Sequence, residues 1–212
     1  MKDAPRKETL ASRIAADLRQ SILSGDLAPG SRINLDHLRL RFGTSISPLR
    51  EALARLTADG LVLFEDQRGF RVAPVSATDF ADIADLRRDL HAKALAGAMA
   101  SAGIEWEAGL VRTLHLLSRS PATPLSQAVF LAALARGCDR PVLIDLCARS
   151  ASLASRYLGL AGFAPGTPQD LHEMEGIVRA ATARQVEAAL TALHRHLSRT
   201  DATIAARLFP GP

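Results

Sequence analysis

A short segment near residue 50 combines small hydroxyl side chains with an arginine at the start of a predicted helix. Pro48 suits the first turn of a helix, where its missing N–H group is not needed. Either Ser45 or Ser47 can serve as the N-cap. The leucines that follow recur at helical spacing and form an apolar face, with Ser47 and Arg50 on the opposite side. Such groups at a helix N-terminus suit contact with phosphates and base edges.

The sequence carries none of the motifs that would indicate an active site. It contains no glycine-rich phosphate loop, no HExxH zinc motif and no nucleophile elbow. Glu173 and Glu175 fall on different sides of a predicted helix. Cys138 and Cys147 have neither CxxC nor zinc spacing, so buried thiols in a reducing compartment are expected. No catalytic residue is therefore predicted, and the chain is not expected to be an enzyme.

The elements around the Pro48 segment form a predicted helix-turn-helix. A first helix over about residues 9–23 carries apolar residues at every fourth position. A second helix over about residues 35–42 ends at Gly43, and the Pro48 segment begins the third. The polar residues 1–8 are expected to form a disordered leader.

A predicted β-hairpin follows the third helix. Its strands cover residues 61–64 and 70–73, and Arg68 and Gly69 lie at its tip. A hairpin in this position is a wing. Arg68 is expected to reach a groove or a phosphate, and Gly69 permits close approach of the backbone.

The remaining residues have the pattern of an all-helical bundle. We place the domain boundary at residues 74–76, which separates domains 1–75 and 76–212. Nearly half of the chain is apolar and only 4% is aromatic, a composition that favours helices. Six helices are predicted. They cover about residues 77–102, 105–117, 125–136, from 139–141 to 160, 169–182 and 184–208. The net charge of +4 is compatible with a polyanionic partner. No signal peptide or membrane span is evident, so a cytoplasmic protein is expected.

The first 75 residues resemble the winged helix-turn-helix of GntR-family bacterial transcription regulators. The resemblance rests on ILSGDLAPG at residues 22–30, SPLREALARL at 47–56, DGLV at 59–62 and RGFRV at 68–72. The remainder is similar in helix order and length to the FCD effector domain of the fatty-acid-regulator branch, in its shorter VanR-like form. The resemblance implies a homodimer that binds a palindromic operator in double-stranded DNA. It also implies a small ligand in the bundle that alters operator affinity.

The resemblance further implies DNA contacts from the start of the third helix, from Arg50 and from Gly69 of the wing. Ile46 and Asp36 stand where the family usually has arginines, which should weaken or redirect base reading. Ile46 either packs with the apolar face or contacts a thymine methyl group. The predicted DNA-binding residues are Arg32, Ser45, Ile46, Ser47, Arg50, Arg68 and Gly69. Further candidates for phosphate contact are Arg39 and Arg41.

Many FCD domains bind a metal through an Asp-x-x-x-His pair and two further histidines. The corresponding residues here are Gln127, Leu131, Met174 and His196. Because only His196 is retained, the family's metal site is degraded, and neither a metal nor another cofactor is predicted. His172 and His194 lie on other helix faces and are expected to be exposed.

Arg87 occupies the position of an arginine that points into the cavity of the family's effector domain. Its planar guanidinium suits a carboxylate ligand, and His91 lies one helical turn away. The predicted effector-binding residues are Arg87, His91, Gln127, Leu131, Met174 and His196. We expect a small organic acid bound without metal. Alternatively, Arg87 pairs with an aspartate on its own helix (Asp82, Asp85 or Asp89) and the cavity is collapsed.

The sequence therefore predicts a DNA-binding transcription regulator controlled by a small organic acid. The alternative is a dimeric interaction protein of the same fold that has lost specific operator or effector recognition. Ile46, Asp36 and the depleted metal site motivate this alternative.

Overall fold

The computed structural model describes residues 9–210, and the chain divides after Val75 into two units with separate cores. Each unit is described by itself below. The leader predicted for residues 1–8 lies outside the described residues.

Three short helices form the framework of the N-terminal unit. They are α1 (Leu10–Ser24), α2 (Leu35–Phe42) and α3 (Ile46–Ala58). The Thr9 side chain accepts a hydrogen bond from the Ser12 N–H at the start of α1, and the Asn34 side chain caps α2. Gly43 ends α2 with a φ of 58°, a conformation that favours glycine. The predicted helix-turn-helix is therefore confirmed.

A three-stranded antiparallel sheet completes this unit. Its strands are β1 (Arg32–Ile33), β2 (Val62–Glu65) and β3 (Gly69–Val72), in the spatial order β1-β3-β2. The predicted hairpin is present, with Phe64 opposite Phe70 and each strand shifted by one residue from the prediction. The sequence did not predict β1, because two residues are too short to show strand periodicity and are fixed only by pairing with β3.

Six α-helices form the described part of the C-terminal unit, as predicted. They are α4 (Ala77–Ser101), α5 (Ile104–Arg119), α6 (Ser126–Ala135), α7 (Pro141–Leu160), α8 (Pro168–Thr182) and α9 (Val186–Leu208). Helix α4 packs against α6, α7 and α9. None of the helices within residues 9–210 is long and apolar enough to cross a membrane.

Left-handed backbone conformations precede two of these helices. Asp139 has a φ of 48° after a short 3₁₀ turn, and α7 begins at Pro141, within the predicted start at residues 139–141. Arg184 has a φ of 57°, so α9 begins at Val186, two residues after the predicted start. The Arg184 guanidinium donates hydrogen bonds to the carbonyls of Met99 and Ala102, both at 2.6 Å. It thereby satisfies carbonyls at the end of α4.

Both cysteines belong to the core of the helical unit. Cys138 and Cys147 are buried free thiols. Burial, together with the neighbouring Cys138, raises the pKa of Cys147 to about 11. This thiol is therefore protonated and unreactive at neutral pH.

Candidate DNA-binding surface and buried polar network

The N-terminal end of α3 presents the predicted contact residues to solvent. Ser45, Ser47 and Arg50 are exposed, and Ile46 is 40% exposed. The apolar face of the same helix is fully buried, with Leu49 and Leu53 at 0% exposure. Helix α3 is thus fixed to the core by one side and offers the other to a partner.

Two details at this end of α3 bear on the predictions. Ser45, one of the two predicted candidates, is the N-cap residue of the helix, but its side chain makes no capping hydrogen bond. Within residues 9–210, the Arg50 guanidinium has no hydrogen-bond or ion-pair partner. The hydroxyl groups and the guanidinium at this helix start are therefore available to a ligand.

The wing brings a second pair of arginines together. Arg32 and Arg68 line a shallow pocket of about 360 Å³ that also includes Gly69 and Asp36. The Arg68 side chain is 79% exposed and lies 3.8 Å from a Glu65 carboxylate oxygen, an ion pair that contributes little in solvent. Gly69 has a φ of 82°, and apart from its chain neighbours no residue between 9 and 210 lies within 4 Å of the position of an added Cβ. This surface can approach a phosphate closely, although Asp36 opposes the positive charge.

The other candidate phosphate contacts differ in their surroundings. Arg39 is exposed. Arg41 forms an ion pair with Asp17 on α1 and stacks over the Phe42 ring. A phosphate contact by Arg41 would therefore compete with an existing carboxylate.

The helical unit contains a hydrogen-bonded network of buried polar side chains. Arg87 Nη1 donates to Gln127 Oε1 at 2.8 Å, and the Gln127 amide lies 3.3 Å from His196 Nε2. All three side chains are buried. The buried Leu131 and Met174 belong to the adjoining apolar core. The predicted effector-binding residues thus lie in one region, where their polar groups bond to one another.

Asp201 of α9 is the anion that balances Arg87. It accepts a hydrogen bond from Arg87 through Oδ1 and another from Arg88 through Oδ2. The predicted alternative, in which Arg87 pairs with Asp82, Asp85 or Asp89, is wrong, because Arg87 points inward across the bundle. It is Arg88, at the edge, that bonds to Asp85.

His91 is buried beside this network as a neutral imidazole. Its Nδ1 lies 2.9 Å from the Arg87 carbonyl oxygen, which can only accept, so Nδ1 carries the proton. Its buried Nε2 has no hydrogen-bond partner among the described residues. Burial lowers the pKa of His91 to about 4, and the Arg87 charge also lowers it, against the effect of the carbonyl bond. A charged His91 is therefore disfavoured.

A cluster that the sequence did not predict lies on the other side of His196. Arg199 Nε donates to Glu173 Oε1 at 2.8 Å, and Arg199 Nη2 bonds to both Glu173 and Asp170. His196 Nδ1 lies 2.7 Å from Glu173 Oε2. Burial raises the pKa of Glu173, but hydrogen bonds from Arg199 and His196 hold it below its usual value. Burial lowers the pKa of His196 despite Glu173, so a neutral His196 donates to an ionised Glu173.

The carboxylates of this cluster are arranged to bind the Arg199 guanidinium and not a metal ion. Of the four positions that the resemblance aligns with metal ligands, Leu131 has no donor atom and Gln127 already bonds to Arg87. Asp170, Glu173 and His196 have ligand atoms within 4.8 Å of one another. However, Arg199 forms ion pairs with both carboxylates, and a cation would have to displace it. His172 and His194 are exposed, as expected.

Comparison with known proteins agrees with the architecture. A family model described as bacterial regulatory proteins, gntR family, matches residues 10–72. The HTH-type transcriptional repressor GlaR of Escherichia coli K12 is 33% identical over 150 residues, covering 66% of this chain and 68% of GlaR. The uncharacterized HTH-type transcriptional regulator BphR of Paraburkholderia xenovorans is 42% identical over 101 residues, covering 48% of this chain and 41% of BphR.

Solved structures show the same fold along almost the whole chain. A putative transcriptional regulator GntR from Rhodococcus sp. RHA1 matches with a TM-score of 0.76 and 24% identity, covering 92% of this chain and 97% of the other. E. coli McbR/YncC matches with a TM-score of 0.73 and 22% identity. The predicted winged helix-turn-helix followed by a helical domain is confirmed.

Proposed function

Because the chain belongs to the gntR family of bacterial regulatory proteins, we propose that it binds a specific operator in double-stranded DNA as a homodimer. The chain is an HTH-type transcription regulator and not an enzyme, like the relatives named above. The observation that carries the proposal is the start of α3, where Ser45, Ser47 and Arg50 are exposed above a fully buried face, and where Arg50 has no partner among the residues that the structure describes. With DNA as the partner, we expect the protein to be cytoplasmic.

In this proposal, the two surfaces of the N-terminal unit have different tasks. Arg50 reads a base edge in the major groove, for which an arginine fork suits guanine. Ile46 contacts a thymine methyl group, consistent with its 40% exposure. Arg32, Arg68 and Gly69 hold the wing against the phosphate backbone and carry little sequence information. Two protomers would read the two halves of a palindrome.

The C-terminal unit is proposed to be an FCD-like domain in which a small organic acid changes operator affinity. Support comes from the buried network of Arg87, Gln127, His196 and Asp201, which ties together α4, α6 and α9. A ligand carboxylate that competes for the Arg87 guanidinium would alter the packing of three helices at once. Such a change is a physical means of coupling a ligand to the rest of the chain.

We further propose that this unit works without a metal, because Arg199 already occupies the carboxylate oxygens of Asp170 and Glu173 that would bind one. Neither EDTA nor manganese should change the melting temperature of the wild-type protein. Arg199→Ala should acquire stabilisation by manganese, because two carboxylates and an imidazole would then be free to coordinate. Thermal melts of both proteins measure this, and destabilisation of the wild type by EDTA would contradict it.

A footprinting experiment tests the DNA-binding proposal. The purified protein is incubated with fragments from its own gene neighbourhood and with scrambled DNA, over a range of salt concentrations. A protected palindrome, bound far more tightly than scrambled DNA, is the expected result. Weak binding that is lost with added salt and is equal for all DNA sequences would instead support the alternative, an interaction protein that has lost operator recognition.

A further inference from the structure

A groove between α4 and α9 lies beside the buried network and opens to solvent. Its volume is about 540 Å³, which is within the range of small-molecule sites. The rings of Phe80 and Phe209, whose centroids are 6.3 Å apart, form an apolar wall with several alanine methyl groups. Arg88 lines the α4 side, and His194 lines the α9 side. The groove can therefore hold an apolar body and present donors to a polar end.

Arg88 has one firm partner and one that is easily displaced. Its Nη1 donates to Asp201 at 2.7 Å, and the Asp201 side chain is only 9% exposed. Its Nη2 bonds to Asp85, whose side chain is 78% exposed. Solvent screens such an exposed pair, so it contributes little to stability. A ligand carboxylate could therefore replace Asp85 at Arg88 without disturbing Asp201.

The charges of the groove favour an anion over a cation. Both carboxylate oxygens of Asp201 already accept hydrogen bonds from arginines, so only Asp85 could receive a cationic ligand. A carboxylate, in contrast, would meet the Arg88 fork and the His194 ring and Ser198 hydroxyl of the opposite wall.

We propose that this groove is a binding site for a small amphipathic carboxylate, held by Arg88 and by the aromatic wall. The assignment rests on the proposed function, since it locates the regulatory ligand in the helical unit. It differs from the interior site expected from Arg87, because the ligand remains at the edge of the bundle. Asp201 bonds to both Arg88 and Arg87, and therefore connects the groove directly to the buried network.

The test uses phenylacetate as the probe and phenylacetamide as an uncharged control of the same shape. Calorimetric titration of the full chain should give millimolar or tighter binding of phenylacetate and no measurable binding of the amide. Arg88→Gln should weaken binding by about ten- to a hundredfold, the range for loss of a charged hydrogen-bonded partner. Arg195→Gln, on the exposed residue beside His194, should leave binding unchanged.

A second variant guards against a folding defect in Arg88→Gln. Ala202 lines the groove and is exposed, so Ala202→Trp should fill the groove while it keeps every charge. It should abolish phenylacetate binding with unchanged circular dichroism. Three results would each overturn the assignment. The first is wild-type affinity of Ala202→Trp for phenylacetate, the second is equal binding of the acid and the amide, and the third is no binding of phenylacetate at all.

Operator affinity is measured separately, so that the two proposals can fail independently. Phenylacetate that binds in the groove without a change in operator affinity would support the site and refute ligand control by this class of acid. Operator affinity that responds to phenylacetate equally in the wild type and in Ala202→Trp would support ligand control and refute the groove.

Discussion

Arg50→Ala is expected to weaken operator binding by about ten- to a hundredfold, because a bidentate arginine contact with a base contributes about 1–3 kcal/mol. The effect should be strong because the guanidinium is exposed and has no intramolecular partner within residues 9–210. Since the side chain supports no packing, the fold should be retained. Fluorescence anisotropy with labelled operator measures the affinity, and circular dichroism checks the fold.

The matched control is Arg112→Ala, which removes an exposed arginine from α5 in the helical unit. It should leave affinity and salt dependence unchanged. Arg50→Ala should also reduce the preference for operator over scrambled DNA, as expected of a base contact. Equal loss on both DNAs would reassign Arg50 to the phosphate backbone, and an unchanged affinity would remove it from the interface.

Asp201→Asn is expected to cost the helical unit about 3–5 kcal/mol of unfolding free energy, the range for removal of one partner from a buried ion pair. Asparagine keeps the size of the side chain but leaves Arg87, at 1% exposure, without its anion. Urea denaturation followed by tryptophan fluorescence measures the loss. Trp106 is the single tryptophan of the chain and lies in the core of the helical unit, so its signal reports on that unit.

Asp85→Asn provides the comparison. Asp85 and Asp201 both bond to Arg88, but Asp85 is the exposed partner. Its cost should be no more than about 1 kcal/mol. The double replacement of Arg87 by Met and Asp201 by Leu should recover much of the stability, since no buried charge remains unpaired. If Asp201→Asn and Asp85→Asn were equally mild, the buried pair would not be important for the stability of the bundle.

Local signals were sufficient to predict most elements of the fold. The apolar residues at every fourth position of α1, the glycine after α2, and the leucines at helical spacing in α3 each act over a few neighbouring residues. The resemblance added the positions of Arg87, Gln127 and His196, which the structure brings together. Their role in ligand binding stays a prediction.

The sequence could not predict contacts between side chains that are far apart in the chain. Arg87 and Asp201 are separated by 114 positions, and three nearer aspartates offered plausible but wrong partners. The Arg199 cluster did leave a signal, because Asp170 and Glu173 on one helix, and His196 and Arg199 on another, each have a spacing of three residues. Spacing places each pair on one face, but only the packing of α8 against α9 brings the faces together.

The burial of both thiols makes the protein well suited to site-specific labelling. Cys138 and Cys147 are 4% and 1% exposed, respectively, and are the only two cysteines of the chain. Maleimide reagents require an accessible thiolate, which neither provides. A single cysteine introduced at an exposed position of the wing would therefore react alone. A fluorophore placed there could report in real time whether the wing approaches DNA, without prior removal of the native cysteines.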